Sequence, residues 1–268
     1  MKAIILAAGM GTRLGEYTAH RPKGMVEFMG KPLIELQLNV LRSVGITDIV
    51  IVRGYCAEKI NYPNVRYYQN NRYAETNMVE TLFCAAAEIQ GNVIVLDSDI
   101  VYEASVVAAV MKSNAHIGVV VDIDYMEYWI ARVGSLSSDS ESLCFDADKL
   151  ITEIGEPSPP LEKIDGRYVG ILSFSETGVE ALKRIYSQES SKYMHLDQPW
   201  YHSKSFAKGY MTDMLQCLID SGEPVQAVAI KKGWLEIDTV EDLKRYEDWH
   251  TSGMLSRFID VRSIIKSS

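Results

Sequence analysis

Residues 1–26 constrain what this chain can fold into more than any other stretch. Residues 3–6, Ala-Ile-Ile-Leu, are an uncharged apolar run of the kind that forms a strand buried on both faces. The run passes without a break into Ala7, Ala8, Gly9, Met10, Gly11, Thr12 and Arg13. Two glycines among small residues leave room for close backbone approach, and such a loop aims N–H groups at an anion. Arg13 adds a fork of donors for phosphate oxygens, and Lys23, behind the stiffening Pro22, supplies a second cation. The plain alternative is a glycine-rich turn followed by a solvated lysine. The loop's place at the end of the first buried strand, with both cations following, favours phosphate.

A second apolar strand follows at residues 48–53, after a helix whose stripe runs Leu33, Leu36, Val40, Leu41, Val44 and which Gly45 stops. Pro32 reads as part of that helix's first turn. Strand, loop, helix, strand at this spacing predicts a parallel sheet with ligands at the carboxyl ends of its strands. It is not a dinucleotide fingerprint: Leu14 stands where a third glycine belongs, and Arg53 closes the second strand where an acidic residue would sit.

A third buried strand over residues 92–96 delivers Asp97, Ser98 and Asp99. Hard carboxylate oxygens at a strand end, facing a phosphate loop, suit Mg²⁺; the alternative is that they cap the helix expected over residues 104–113. Thr76 or Asn77 reads as the N-cap of a helix reaching about Glu88, and a free Asn amide at that edge could instead read a base. A fourth strand covers residues 116–122, where His116 reads as structural. Residues 125–132 are strongly aromatic and read as core, interface, or a cage for a cationic head group. Residues 134–148 look like a loop or hairpin tip, residues 150–155 and 167–174 like strands, and residues 156–160 like an exposed, rigid connection. Helices are expected over residues 177–187 and from Tyr210 to near Gly222, then a last strand over 224–230. His202, Lys204 and Lys208 are available for an acceptor phosphate, with solvated surface as the default. Thr239 and Asp242 form a T-x-x-D capping box for a helix to about Trp249.

The 268 residues are enough for one large α/β domain or two small ones. A net charge of −9 argues against a nucleic-acid surface or docking on anionic lipid, though not against a locally basic nucleotide site. No apolar run approaches the roughly 20 residues of a spanning helix. Met1-Lys2 leads directly into a strand with no signal peptide, so a cytoplasmic location is the expectation. Cys56, Cys84, Cys144 and Cys217 are widely separated, implying neither zinc nor disulfides.

Leu6-Ala7-Ala8-Gly9, Gly11, Arg13-Leu14 and Pro22-Lys23 together resemble the LAAGxGxRL…PK signature of the nucleotidyltransferases that make sugar nucleotides and CDP-activated head groups. Residues 98–99 resemble the family's GD motif, with Ser98 where glycine is usual, and residues 234–243 resemble its W-x-D-I-D/G-T-P-E-D-L segment. The strings around Asn77, Asp99 and Tyr210 resemble a narrower subgroup, cytidylyltransferases acting on phosphocholine, aminoethylphosphonate or phosphoglutamine. The resemblance implies a Rossmann-like three-layer α/β/α fold with a mixed, mostly parallel sheet. The transferase domain would span residues 1–250, with an acceptor-side insertion over about 123–170 and a loosely attached or oligomer-contacting tail over 251–268. It implies CTP as donor, a small phosphate- or phosphonate-bearing acceptor, and Mg²⁺ held by Asp99 and Asp238. No nucleic-acid or membrane partner is expected, and a homodimer stays open.

In that scheme Lys23 and Arg13 are catalytic. Leu6, Ala7, Ala8, Gly9, Met10, Gly11, Thr12, Tyr55, Asn77, Thr81 and Asp97 join them around the nucleotide. Trp129, Arg132, Glu153, Gly170 and Asp213 form the acceptor side. A sugar-1-phosphate nucleotidyltransferase, and a catalytically dead nucleotide-sensing module, are the alternatives.

Overall fold

The computed structural model describes residues 1–265. Every residue of β1 (Lys2–Ala7) is buried, as a charge-poor run needs to be in the middle of a parallel sheet. The chain leaves β1 through the glycine loop and a short hairpin, β2 (Glu27–Phe28) with β3 (Lys31–Pro32), into α1 (Leu33–Ser43). It returns through β4 (Ile49–Arg53), β5 (Arg66–Gln69), the short α2 (Met78–Phe83) and β6 (Val93–Asp97). After β7 (Ile100–Tyr102) come α3 (Ala104–Lys112), β8 (Ile117–Asp122) and α4 (Met126–Val133). Next is an antiparallel pair, β9 (Glu141–Phe145) and β10 (Ile151–Pro157), and then β11 (Arg167–Phe174). The chain closes with α5 (Glu176–Tyr193), α6 (Met211–Asp220), β12 (Val225–Ile230), β13 (Trp234–Glu236), α7 (Val240–Ser252) and α8 (Val261–Ile265).

The main sheet has seven strands in the order β12-β8-β11-β6-β1-β4-β5, and β11 alone runs antiparallel to its neighbours. Two apolar layers cover it. One is carried by α1, α3, α4, α7 and α8, the other by α2, α5 and α6. The fold is therefore a mixed, mostly parallel Rossmann-like α/β/α sandwich. Its register sets Leu6 of β1 beside Asp97 of β6 and Val52 of β4, so these strands end together at one edge. No helix among the described residues is long and apolar enough to cross a membrane.

Several local expectations need correction. Pro32 stands just outside α1 with extended backbone, because its ring fits the turn before the helix. α2 stops at Phe83, and a separate 3-10 turn spans Ala86–Glu88. Neither Thr76 nor Asn77 caps it through a side chain: the Thr76 hydroxyl donates to the Arg72 carbonyl and the Asn77 amide to that of Lys208. α5 runs on to Tyr193, and the stretch expected as a loop or hairpin tip over 134–148 also contains β9, one arm of the hairpin with β10. The final segment is not loosely attached: Leu255, Phe258, Ile259, Val261 and Ile264 are buried in the core beneath α1 and α4. The last part of the expected tail, 266–268, lies outside the described residues.

Candidate active site

At the strand-end edge a cavity of about 700 Å³ opens between the glycine loop and the β9–β10 side. Gly11 holds φ +64°, and a Cβ there would come within 2.8 Å of Lys23 Cβ, so glycine is what lets the Lys23 stem pass over the loop. Thr18 donates to the Gly11 carbonyl at 2.9 Å and fixes the turn. Beside Gly9 nothing lies within 4 Å, so a ligand can reach the backbone there.

Lys23 stands at the centre. Its ammonium donates to Asp99 Oδ2 at 2.6 Å and also to Asp238 Oδ1, while the Arg13 guanidinium pairs with Asp238 Oδ2. Burial pulls Lys23 down, but the Asp99 and Asp238 charges outweigh it and hold its pKa above the ordinary range. Asp97 is pushed well up, first by burial and then by Asp99 and Glu236. Glu236 is also raised by burial, with Arg132 working against that.

The turn between β6 and β7 brings the carboxylates together. Neither Asp97 nor Asp99 caps α3, whose N-cap position is Glu103. Instead the Gln37 amide, on the buried stripe of α1, donates to the Asp97 carbonyl at 2.9 Å and the Ile100 carbonyl at 2.8 Å. The Ile237 N–H donates to the Asp99 carbonyl at 2.8 Å, tying that turn to the segment carrying Asp238. The capping box of α7 forms as expected, and its Asp242 also accepts from the Asp238 N–H at 3.0 Å.

No group of three or more His, Cys, Asp or Glu side chains among the described residues is arranged to hold a metal ion. Asp99 and Asp238 do converge on a single cation, the Lys23 ammonium. Mg²⁺ is commonly bound by one or two carboxylates with substrate phosphates and waters completing its shell. The pair fits that pattern.

Leu6, Ala8, Gly9, Gly11, Thr12, Arg13, Lys23, Asn77, Thr81, Asp97, Asp99, Trp129, Gly170 and Asp238 all line the cavity. Gly170 has φ +78°, and a Cβ there would meet Asp97 Oδ2 at 2.8 Å, so glycine lets β11 pass the carboxylate. Thr81 accepts from the Asn70 amide at 3.0 Å and donates to the Asn77 carbonyl at 2.9 Å, which steadies Asn77 at the rim.

Other expected site residues lie off the cavity wall. Ala7 packs inside β1, and Met10 is exposed without lining the cavity. Tyr55 braces the loop, its hydroxyl donating to the Ala19 carbonyl at 2.7 Å. Three of the acceptor-side residues face other partners. Arg132 is buried behind the wall, forked onto Asp242 at 3.0 Å and bonded to Glu236 at 2.5 Å. Glu153 pairs with Lys163 at 3.1 Å. Asp213 is used up by the capping box of α6 and by the His202 N–H and the Ser203 hydroxyl. Of the three available bases, Lys208 donates to the Ala74 carbonyl at 2.8 Å and none lines the cavity.

Sequence reasoning passed over Glu141, Tyr168, Glu236 and Gln37. Only Gln37 left a signal, a polar side chain on an otherwise apolar helical stripe.

Residues 3–149 match the family model for the MobA-like NTP transferase domain. The chain belongs to that family. This transferase is 34% identical over 256 residues to the CTP:phosphoglutamine cytidylyltransferase of Campylobacter jejuni, covering 91% of this chain and 98% of that protein. It is 44% identical over 103 residues to the choline-phosphate cytidylyltransferase of Streptococcus pneumoniae, covering 37% of this chain and 44% of the relative. Its fold matches the solved CTP:phosphocholine cytidylyltransferase of Streptococcus pneumoniae with a TM-score of 0.70 at 25% identity, covering 92% of this chain and 97% of that one. The chain is thus a nucleotidyltransferase by family as well as by fold.

Proposed function

We propose that this transferase moves CMP from CTP to a small acceptor bearing a phosphate or phosphonate, releasing pyrophosphate. The observation that carries the reading is Lys23, Asp99 and Asp238 meeting at the mouth of the glycine loop. The full-length likeness to a relative named as a CTP-dependent enzyme supports CTP as donor.

An acceptor oxygen attacks the α-phosphorus of CTP in line. The new O–P bond forms as the bond to the β-phosphate oxygen breaks, and the electron pair leaves with pyrophosphate. The acceptor oxygen is already anionic, so no general base is required, and catalysis rests on positioning and charge neutralisation. The backbone of Gly9 and Gly11 faces the triphosphate, Arg13 neutralises its outer phosphates, and the flexible stem of Lys23 lets its ammonium serve the α-phosphate. Asp99 and Asp238 would hold Mg²⁺, which when bound offsets charge on the phosphate oxygens. In this reading Asn77, with Thr81 beside it on the cavity wall, meets the base.

A pyrophosphate-release assay over the common NTPs and a set of phosphate and phosphonate acceptors tests this. Release is expected with CTP and at least one acceptor. Tight nucleotide binding without release for any pair would favour a sensing module instead.

A further inference from the structure

We infer that Arg167 is the anion receptor of the acceptor half of the cavity, holding an oxyanion of the acceptor through its unused N–H groups. The inference rests on the cytidylyltransferase reading, which makes that half the acceptor site.

Three cationic side chains line the cavity: Arg13, Lys23 and Arg167. The first two face Asp99 and Asp238 and, in the transfer reading, serve the triphosphate. Arg167 has no carboxylate within 4 Å among the described residues; its partners are two backbone carbonyls. Its neighbour across the sheet, Asp122 of β8, is already spent. That carboxylate accepts from the Trp234 indole N–H at 2.8 Å and from the backbone N–H groups of Asp124 and Lys232.

Arg132 makes the contrast. Both guanidiniums lie against the Trp129 ring, Arg167 at 3.9 Å and Arg132 at 5.0 Å from its centroid. Burial pulls Arg132 down, but Glu236 and Asp242 outweigh it and hold its pKa above the ordinary range. Nothing does the same for Arg167. Burial pulls it down to about 10, against Tyr125, Asp139, Glu236 and Glu141 acting from a distance. Glu141, on the same wall, does not fill the gap. Burial, then Asp213, Glu236 and Asp139, push it up to about 7, and the opposing pull of Arg167 does not reverse this. A buried cation ordinarily comes paired, because its lost hydration is otherwise unrepaid.

The guanidinium is also preorganised. Arg167 opens β11, is 6% exposed, and donates from Nη2 to the Leu136 carbonyl at 2.9 Å and from Nη1 to the Asp139 carbonyl at 3.3 Å. Of the five N–H groups a guanidinium carries, this leaves Nε and one each on Nη1 and Nη2 without an acceptor. A fork held in one orientation matches the edge of a carboxylate or phosphate and binds it through charge-assisted hydrogen bonds.

The test is calorimetric binding of inorganic phosphate, phosphoethanolamine and phosphoserine to the full chain loaded with Mg²⁺ and a CTP analogue bridged by methylene between its α- and β-phosphorus. Wild type, Arg167→Lys and Arg167→Gln are compared, with pyrophosphate release from CTP followed in parallel. At least one probe is expected to bind wild type, to lose about tenfold or more in Arg167→Gln and to regain part of it in Arg167→Lys. The CTP analogue itself should bind all three proteins within about twofold, whereas a merely structural role would weaken analogue and probe together. A loss confined to phosphoserine assigns Arg167 to a carboxylate of the acceptor, and an equal loss for every probe assigns it to the acceptor's phosphate. Where Arg167→Gln does not fold, Arg167→Lys decides, since the missing fork should still cost about threefold. No probe binding in wild type, or probe affinities unchanged in the folded variants, would overturn the assignment. Probe binding that depends on Arg167, with no pyrophosphate release from any acceptor, would instead contradict the transferase reading and leave the role of Arg167 standing.

Discussion

The backbone N–H of Ile237 donates to the carbonyl of Asp99 at 2.8 Å, and this one bond sets the two carboxylates that face Lys23 side by side. It joins the turn after β6 to the segment after β13, residues far apart in sequence. Asp99 and Asp238 approach one cation because backbone, not only side chains, fixes their separation.

Lys23→Ala leaves Asp99 and Asp238 facing one another without their shared cation. Turnover is expected to fall more than about tenfold, since removing a preorganised charge from a transfer site costs at least that much. Steady-state kinetics with a thermal melt on the same sample check it. A near-normal rate in a folded variant would remove Lys23 from the mechanism.

Gln37→Leu keeps the volume of the buried side chain but strands the Asp97 and Ile100 carbonyls. A loss of about 1–3 kcal/mol in chemical denaturation is expected, with a further fall in activity as the turn loosens. Wild-type stability and rate together would show the clamp to be idle.

For Gly11→Ala, the added methyl meets the Lys23 stem at 2.8 Å and sits on a left-handed backbone. Backbone strain of about 1–2 kcal/mol is expected, with a larger effect on nucleotide affinity than on folding. Titration calorimetry with CTP separates the two.

Acid sensitivity has a definite place in the fold. Hydrogen bonds from Arg66 outweigh burial, and Lys2 adds to them, so Glu88 is lowered to about 2. A depressed carboxylate contributes stability that is present above its unfolded value near 4.5 and is lost as pH falls toward 2. Glu88→Gln should therefore flatten the stability profile between those values, by on the order of 2 kcal/mol allowing for solvent screening at the half-exposed Arg66. An unchanged acid limb in urea titrations would place the sensitivity elsewhere.

The sheet strands and the glycine loop were legible because their signals are local: β1 and β4 are apolar runs that end in turn chemistry, and the α7 capping box is complete within four residues. Asp99 and Asp238 could be matched to motifs, yet their meeting depends on the Ile237 bond, which no local pattern encodes. Arg132 and Asp213 misled because a charged side chain does not announce its partner. Arg132 is neutralised by residues more than a hundred positions away, and Asp213 faces inward to cap its own helix. The segment after Gly253 looked detached because its apolar residues are spread over two short turns, and only the surface of α1 and α4 completes their burial.

The most direct test of the transfer chemistry follows the label from α-³²P CTP in the presence of Mg²⁺ and acceptor. The expected result is label in the acceptor product, unlabelled pyrophosphate in equal amount, and loss of both in Lys23→Ala and Asp238→Ala. Label transfer at the wild-type rate in either variant, or no transfer to any phosphate or phosphonate acceptor, would contradict it.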